Sequence, residues 1–304
     1  MPVPKVSICM ITYNHEKYIE QAVNSVLMQQ CDFDFELVIC NDNSLDNTDL
    51  IIKNLIKASE KGNRIKYHNH LENKGMMPNF AFALQKCSGQ YIALCEGDDF
   101  WTDSLKLQKQ VDFLENNLNY VLCFHKVKIL ENNTNLVDDF ITEVPENYET
   151  IETLAKKGNY IHTPSVVFRN CIEQYPFEFL HTKIGDYFLY MILAEQGLIG
   201  YIEESMAVYR HGIGYFSGSS KVTKTRDVLI LFSCLSSYLK NDEIKKIMLK
   251  RQLDSVYHFE NVLHQKYQSD FKGYYELLKA KKYLKNNYKS PIKIIRAFIR
   301  RLKQ

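Results

Sequence analysis

Short unbroken apolar runs alternate with stretches of helical spacing over the first hundred residues. Val6–Ile11 is a continuous apolar run of strand length. Ile19, Ala22, Val23, Val26 and Leu27 then recur at three- and four-residue intervals, which predicts a helix over 16–29. The alternation continues with a strand at Phe35–Cys40, a helix from about Asp46 to Glu60 and a short strand at Ile65–His68. A helix follows that Pro78 opens within its first turn and that runs to Cys87, then a strand at Tyr91–Cys95. Such repetition predicts an α/β fold, a mainly parallel sheet with helices on both faces.

In sheets of this kind ligands sit beyond the carboxyl ends of the strands. Three polar clusters fall there: Thr12-Tyr13-Asn14, Asn41-Asp42-Asn43-Ser44 and Glu96-Gly97-Asp98-Asp99. Beyond residue 120 the pattern changes. Tyr120–Phe124 and Lys126–Leu130 read as strands, 131–160 as polar and irregular, Val166–Arg169 as a strand and Asp186–Gln196 as a helix. From about Thr223 the chain reads as wholly helical and basic.

The length of 304 residues accommodates one large domain with a smaller appendage, and 45% hydrophobic and 24% charged residues are ordinary for a soluble globular protein. No run of eighteen apolar residues occurs, and the N-terminus enters its first strand without the features of a signal peptide. Eight cysteines lie scattered with no CxxC pair, so zinc ligation has no support and reduced buried thiols are expected. These features predict a cytoplasmic protein. The net charge of +2 is unevenly placed. Residues 222–304 hold 19 Lys/Arg against 7 Asp/Glu, whereas 1–221 hold 19 against 29. A basic tail on an acidic body suits an anionic partner.

Four groups could carry chemistry. Glu96, Asp98 and Asp99 crowd three carboxylates into four residues, an arrangement a hard divalent cation would offset. On spacing alone it is equally a solvated turn that caps the next helix. Asp42 could hydrogen-bond a base or ribose, or simply shape its turn. Asp186 could act as a general base or cap a helix. Tyr209-Arg210-His211-Gly212-Ile213-Gly214 suits a mobile loop over phosphates or an ordinary exposed loop.

Taken in order, these segments resemble the family 2 glycosyltransferases, which have the GT-A (Rossmann-like) fold. Val6–Asn14 resembles that family's opening strand and nucleotide loop, and Glu36–Asp46 its second strand and acidic turn. Asn73-Lys74-Gly75 followed by Asn79 is similar to its next nucleotide-side loop, and Gly89–Trp101 to the strand that carries the metal motif. The resemblance spans about 4–215 and is densest over 4–110. It implies that Thr12, Tyr13, Asn14, Lys74 and Asn79 line the nucleotide, that Asp42 binds the base, and that Asp98 and Asp99 face ribose and metal–diphosphate. Glu96 takes the place where many members have the first Asp of an Asp-x-Asp motif. The implied metal set is Asp99, Asp98, Glu96 and His211, with Arg210 on the diphosphate side and Asp186 as catalytic base. His162-Thr163-Pro164-Ser165 would lie on the acceptor side.

The expected domains are 1–221 (a nucleotide-binding half, about 1–115, and an acceptor-binding half, about 116–221) and a helical basic region, 222–304. The expected activity is metal-dependent, inverting transfer from a nucleotide-sugar, UDP-linked by default, with Mn²⁺ or Mg²⁺. The acceptor is expected to be a glycan or lipid-linked hydroxyl in cell-surface polysaccharide synthesis. Residues 289–304 place Ile292, Ile295, Phe298, Ile299 and Leu302 on one helical face among basic residues, which suits an anionic membrane surface, an oligomer interface or packing on the chain's own helices. No nucleic-acid motif occurs. A catalytically silent nucleotide-sugar binder is the competing reading. A nucleotidyltransferase is disfavoured because its glycine-rich, basic phosphate loop is missing near the N-terminus.

Overall fold

The computed structural model describes residues 3–266. The chain divides into two compact units, Met1–Gly218 and Ser219–Gln304. The first unit opens with β1 (Val6–Thr12), α1 (Ile19–Leu27), β2 (Phe35–Asn41), α2 (Thr48–Ala58), β3 (Ile65–Asn69), α3 (Met76–Lys86) and β4 (Tyr91–Leu94). These strands pair in parallel in the order β3-β2-β1-β4. The central strands β1 and β4 are buried throughout, as expected where helices cover both faces, while β3 at the edge is only partly buried. Helix α1 buries Ile19, Ala22, Val23, Val26 and Leu27, the stripe its spacing predicts.

The remainder comprises β5 (Phe100–Trp101), α4 (Lys106–Asn116), β6 (Tyr120–Glu131), β7 (Asn135–Asp138), α5 (Ile151–Lys157), β8 (Val167–Arg169), α6 (Phe177–His181), α7 (Gly185–Ala194), β9 (Leu198–His211) and α8 (Tyr215–Gly218). Strand β8 joins β4 in antiparallel fashion, so one sheet crosses from the first half into the second without a break. The order then runs β8-β6-β9-β5, with β7 paired to β6 as a hairpin. The sheet is therefore parallel from β3 to β4 and mixed beyond β4.

Three expectations need correction. The two short strands expected at 120–130 are one twelve-residue strand, β6. The stretch 131–160 is not irregular throughout, since it contains β7 and α5, the latter capped by Thr150 accepting from the Thr153 amide. Tyr209–His211 is not loop but the end of β9, a fourteen-residue strand parallel to β6.

One charged side chain lies in the core. Lys106 is fully buried, donates to Gln110 Oε1 at 2.7 Å and stands over the Trp101 ring at 4.1 Å. Gln110 in turn donates to the carbonyls of Cys123 and Ser165. Burial lowers the Lys106 pKa from 10.5 to about 7. Between those values the unfolded chain holds a proton that the folded chain lacks, so this group makes stability rise with pH, by at most about 1.4 kcal/mol per unit. Lys106→Met is expected to remove that slope, as urea unfolding of both proteins between pH 7 and pH 10 would measure.

In the second unit the described part consists of α9 (Lys221–Tyr238) and α10 (Asp242–Lys266). Gln252 donates to Ser233, and Arg251 stacks on Phe232, tying the two helices together. Among the described residues no helix is long and apolar enough to cross a membrane. The basic amphipathic stretch 289–304 lies outside the described residues.

Candidate active site

The carboxyl ends of β1, β2 and β4 converge, and the polar clusters expected there are brought together. Asn14 and Asn43 adopt positive φ (56° and 58°), a conformation asparagine tolerates better than most residues. That kink lets Asn14 receive the Leu45 amide on its side chain while its own amide donates to Ser44 Oγ. The His15 and Glu16 amides donate to Thr48 Oγ1 and Asp46 Oδ2. The two loops are thus stapled into one rim, with Tyr13 on it 40% exposed.

Asp42 is buried, and both its carboxylate oxygens receive backbone amides: Lys74 to Oδ1 at 2.7 Å and Gly75 to Oδ2 at 2.9 Å. The aspartate therefore fixes the 73–75 loop, and Asn73 adds a bond to the Asp42 carbonyl. Gly75 carries φ +86°, which a side chain would strain. The Lys74 amine pairs with Glu72 at 2.5 Å. Asn79 lies behind this rim, buried, donating to the Cys40 carbonyl and bonded to the His70 ring. Its side chain is spent on the protein's own groups.

The acidic cluster follows β4. Ligand oxygens of Glu96, Asp98 and Asp99 all lie within 4.8 Å of one another. Gly97 is required by close approach: a Cβ there would meet Thr12 Oγ1 at 2.7 Å and His15 Nδ1 at 2.9 Å. Asp98 and Asp99 are 4% and 1% exposed. Asp99 Oδ1 accepts the Arg210 amide at 2.8 Å, while Oδ2 is buried with no hydrogen-bond partner. Burial, then the neighbouring Asp98 and Asp186 charges, raise the Glu96 pKa from 4.5 to about 8. Burial and Asp98 also push Asp99 well up, opposed by the Arg210 amide. A buried carboxylate oxygen without a donor, among carboxylates that resist ionising together, is a donor set that fits a hard divalent cation.

Arg210 belongs to this framework rather than to a mobile loop. Strand β5 pairs antiparallel with β9, Phe100 opposite Val208, so the residues preceding Phe100 meet those following Val208. The Arg210 guanidinium donates to the Asp98 carbonyl and to Gln21, and lies between the rings of Tyr18 (4.9 Å) and Phe100 (4.7 Å). It is 4% exposed. His211, expected among the metal ligands, is not brought to the carboxylates; it meets Phe140 edge-on at 5.6 Å. On β9 it follows Arg210, and neighbours on a strand point to opposite faces.

Asp186 stands at the start of α7, half-buried, accepting from Asn159 Nδ2 at 2.9 Å. Burial raises its pKa, although backbone amides and Asn159 oppose the shift. Its charge is felt at Glu96, so Asp186 and the acidic cluster lie near one another. Gly185 packs against Met77 and Phe80 of α3, where a Cβ would lie 2.6 Å from the Met77 sulfur, which seats the start of α7 against the nucleotide half. Gln21 and Asn159, which hold Arg210 and Asp186, carry no signal in the sequence; only the fold reveals them.

An α/β sheet with an acidic cluster beyond β4 and the Asp186 carboxylate near it has the architecture of a nucleotide-sugar enzyme. The model of glycosyl transferase family 2 matches residues 7–175, and the chain belongs to that family. The fold is GT-A, as the sequence resemblance implies. It is 33% identical over 228 residues to the uncharacterized protein Rv1520 of Mycobacterium tuberculosis, covering 73% of this chain and 64% of that protein. The chain thus spans somewhat under two thirds of that relative. It is 28% identical over 237 residues to the Escherichia coli UDP-Glc:alpha-D-GlcNAc-diphosphoundecaprenol beta-1,3-glucosyltransferase WfgD, covering 78% of this chain and 87% of WfgD. In structure it resembles S. aureus TarS 1–349 in complex with UDP-GlcNAc (TM-score 0.60, 18% identity, 88% and 76% coverage). It also resembles the mannosyltransferase PcManGT of Pyrobaculum calidifontis in complex with GDP-Man and Mn²⁺ (TM-score 0.59, 13% identity, 97% and 85% coverage).

Proposed function

We propose that the chain transfers a sugar from a nucleotide-sugar to an acceptor hydroxyl, with inversion and with the aid of a divalent cation. The observation that carries this reading is the Glu96–Asp98–Asp99 cluster, with its unpartnered Asp99 oxygen, within the electrostatic reach of Asp186. Thr12, Tyr13 and Asn14 on the rim and the loop fixed by Asp42 form the nucleoside side. Asp99 and Asp98 would hold Mn²⁺ or Mg²⁺, with Glu96 beside them. When bound, the ion would supply Lewis-acid neutralisation of charge developing on the leaving diphosphate. Asp186 accepts the acceptor hydroxyl's proton as attack on the anomeric carbon proceeds, and a single displacement inverts that centre. Asn159 orients the carboxylate. The ligands named for WfgD and TarS favour a UDP-linked donor, and the WfgD acceptor favours a lipid-linked glycan. A place on the inner face of the membrane would bring such an acceptor within reach.

The test is a panel of UDP-glucose, UDP-N-acetylglucosamine and GDP-mannose, assayed for binding and turnover with Mn²⁺ or Mg²⁺, with Asp99→Ala as control. Metal-dependent turnover of one donor supports the reading. Binding without turnover of any donor, with or without acceptor glycosides, identifies a silent binder instead.

Arg210 acts on this site through Asp98 and Asp99. Lysine cannot supply both guanidinium bonds or the planar stack between Tyr18 and Phe100. Arg210→Lys is expected to weaken Mn²⁺ binding by about 10- to 100-fold, the usual effect of disturbing groups that orient metal ligands. Calorimetric titration would measure it.

A further inference from the structure

Beside Asp186 lies a second polar centre that the transfer chemistry above does not use. His162 Nε2 and Asp139 Oδ2 are 2.9 Å apart, with side chains 9% and 11% exposed. Asp139 also accepts from Thr142 Oγ1 at 2.6 Å and from the amides of Ile141 and Thr142. These bonds and the imidazole hold the Asp139 carboxyl well below the usual range, although burial opposes them. The His162 ring packs on Tyr209 at 5.0 Å. Tyr209 is itself within the field of Asp99, Glu96 and Asp98, and the charge of His162 is felt at Asp186. The imidazole therefore packs on β9, the strand whose Arg210 amide binds Asp99, and lies near Asp186. Phe140, next to Asp139, is 55% exposed and meets His211 edge-on.

A histidine bound through one ring nitrogen to a carboxylate has a fixed orientation, and its other nitrogen remains to bind a ligand. Phe140 rests on His211 and His162 on Tyr209, two residues apart on the same face of β9, so the exposed Phe140 ring offers an apolar platform on the same strand face. A polar group of fixed direction next to an aromatic face is the chemistry that recognises a pyranose: hydroxyls on the edge, C–H groups on the face. We propose that Asp139, His162 and Phe140 form the acceptor-sugar subsite, in which His162 Nδ1 binds a hydroxyl neighbouring the one that Asp186 deprotonates. The occupant is thus a glycoside with adjacent hydroxyls. The assignment rests on the reading of Asp186 as the base that marks the acceptor side.

The experiment uses the full chain with Mn²⁺ and whichever panel donor it turns over. Octyl glycosides of glucose, N-acetylglucosamine, galactose and mannose serve as acceptors, and nucleotide release is followed. His162→Phe is expected to raise the acceptor KM by about tenfold or more, the loss of one strong hydrogen bond, with kcat changed by less than about threefold. His162→Gln, which can still bond Asp139 and a hydroxyl, is expected to recover most of that loss, and Asp139→Asn to move KM in the same direction as His162→Phe. Unchanged affinity for UDP by calorimetry certifies that the variants are folded. An acceptor KM at the wild-type value in His162→Phe overturns the proposal, as does failure of every glycoside to raise nucleotide release by the wild-type chain. If Asp186→Asn transfers sugar at the wild-type rate while His162→Phe still raises KM, the base assignment falls and the subsite stands.

Discussion

Asp99→Ala is expected to lower the rate of sugar transfer by about 10²- to 10³-fold and to abolish thermal stabilisation by Mn²⁺, because several kcal/mol of charge neutralisation would depend on the ion it is proposed to hold. Asp99 is singled out within its cluster by its two oxygens. One is anchored by the Arg210 amide, and the other is buried and without a donor. An anchored carboxylate with one bare oxygen is already oriented as a ligand and loses little freedom on binding. The pH dependence gives a second handle. The folded chain holds Glu96 protonated up to about pH 8, whereas the free side chain ionises near 4.5. Folding without metal therefore takes up a proton between those values, and this contribution to stability is lost as pH rises toward 8. Metal binding needs the carboxylates ionised, so proton and ion compete. The increase in Tm caused by Mn²⁺ should accordingly be larger at pH 8 than at pH 5.5 in the wild type and absent at both in Asp99→Ala. A Tm increase in that variant equal to the wild type's would remove Asp99 from the metal set.

The nucleotide half was legible in the sequence because parallel strands covered on both faces must be apolar throughout. Val6–Ile11, Phe35–Cys40 and Tyr91–Leu94 have no other reading of comparable simplicity. Polar residues at their carboxyl ends then identify the ligand side without any knowledge of distant contacts. The second half obeys no such rule. Strand β9 carries Glu203, Glu204 and Ser205 at its middle, where its pairing with β6 slips between Ile202 and Ser205. That irregularity splits the apolar pattern and makes Tyr209–His211 look like loop. Helix α4 did leave a signal, Leu107, Val111 and Leu114 at helical spacing, but a lysine that proves to be buried stands at its start. Arg210 is expected on the diphosphate side, and the structure shows its guanidinium bonded within the protein. Composition favours an arginine near a phosphate, and only the antiparallel β5–β9 register shows that its guanidinium is already engaged by Asp98 and Gln21. His211 is expected near the metal because the resemblance implies a late histidine there; on β9 it follows Arg210, and successive side chains of a strand turn to opposite faces.

Asp186→Asn should separate chemistry from binding. The substitution preserves shape, and the asparagine oxygen can still accept from Asn159, so donor affinity and fold are expected to persist. What disappears is the capacity to take a proton, and the expected loss in kcat is about 10²- to 10⁴-fold. Burial keeps the wild-type carboxyl above its ordinary 3.8, so acid disables this group at a higher pH than it would a free aspartate, and transfer should fall with acidity. With saturating Mn²⁺, which would occupy the acidic cluster, that acid limb reports Asp186 and should vanish from the residual activity of the variant. Stability moves the other way. A carboxyl whose folded pKa is raised favours folding only while protonated, and at neutral pH its ionised form is held at a cost. Removing that charge should leave Asp186→Asn at least as stable as the wild type at pH 7, with a higher Tm in the absence of metal. An inactive variant that melts later is the signature of a residue kept for reaction at the expense of stability. A variant that melts earlier would mean that Asp186 serves α7 as a cap, and that the proton acceptor lies elsewhere in the site.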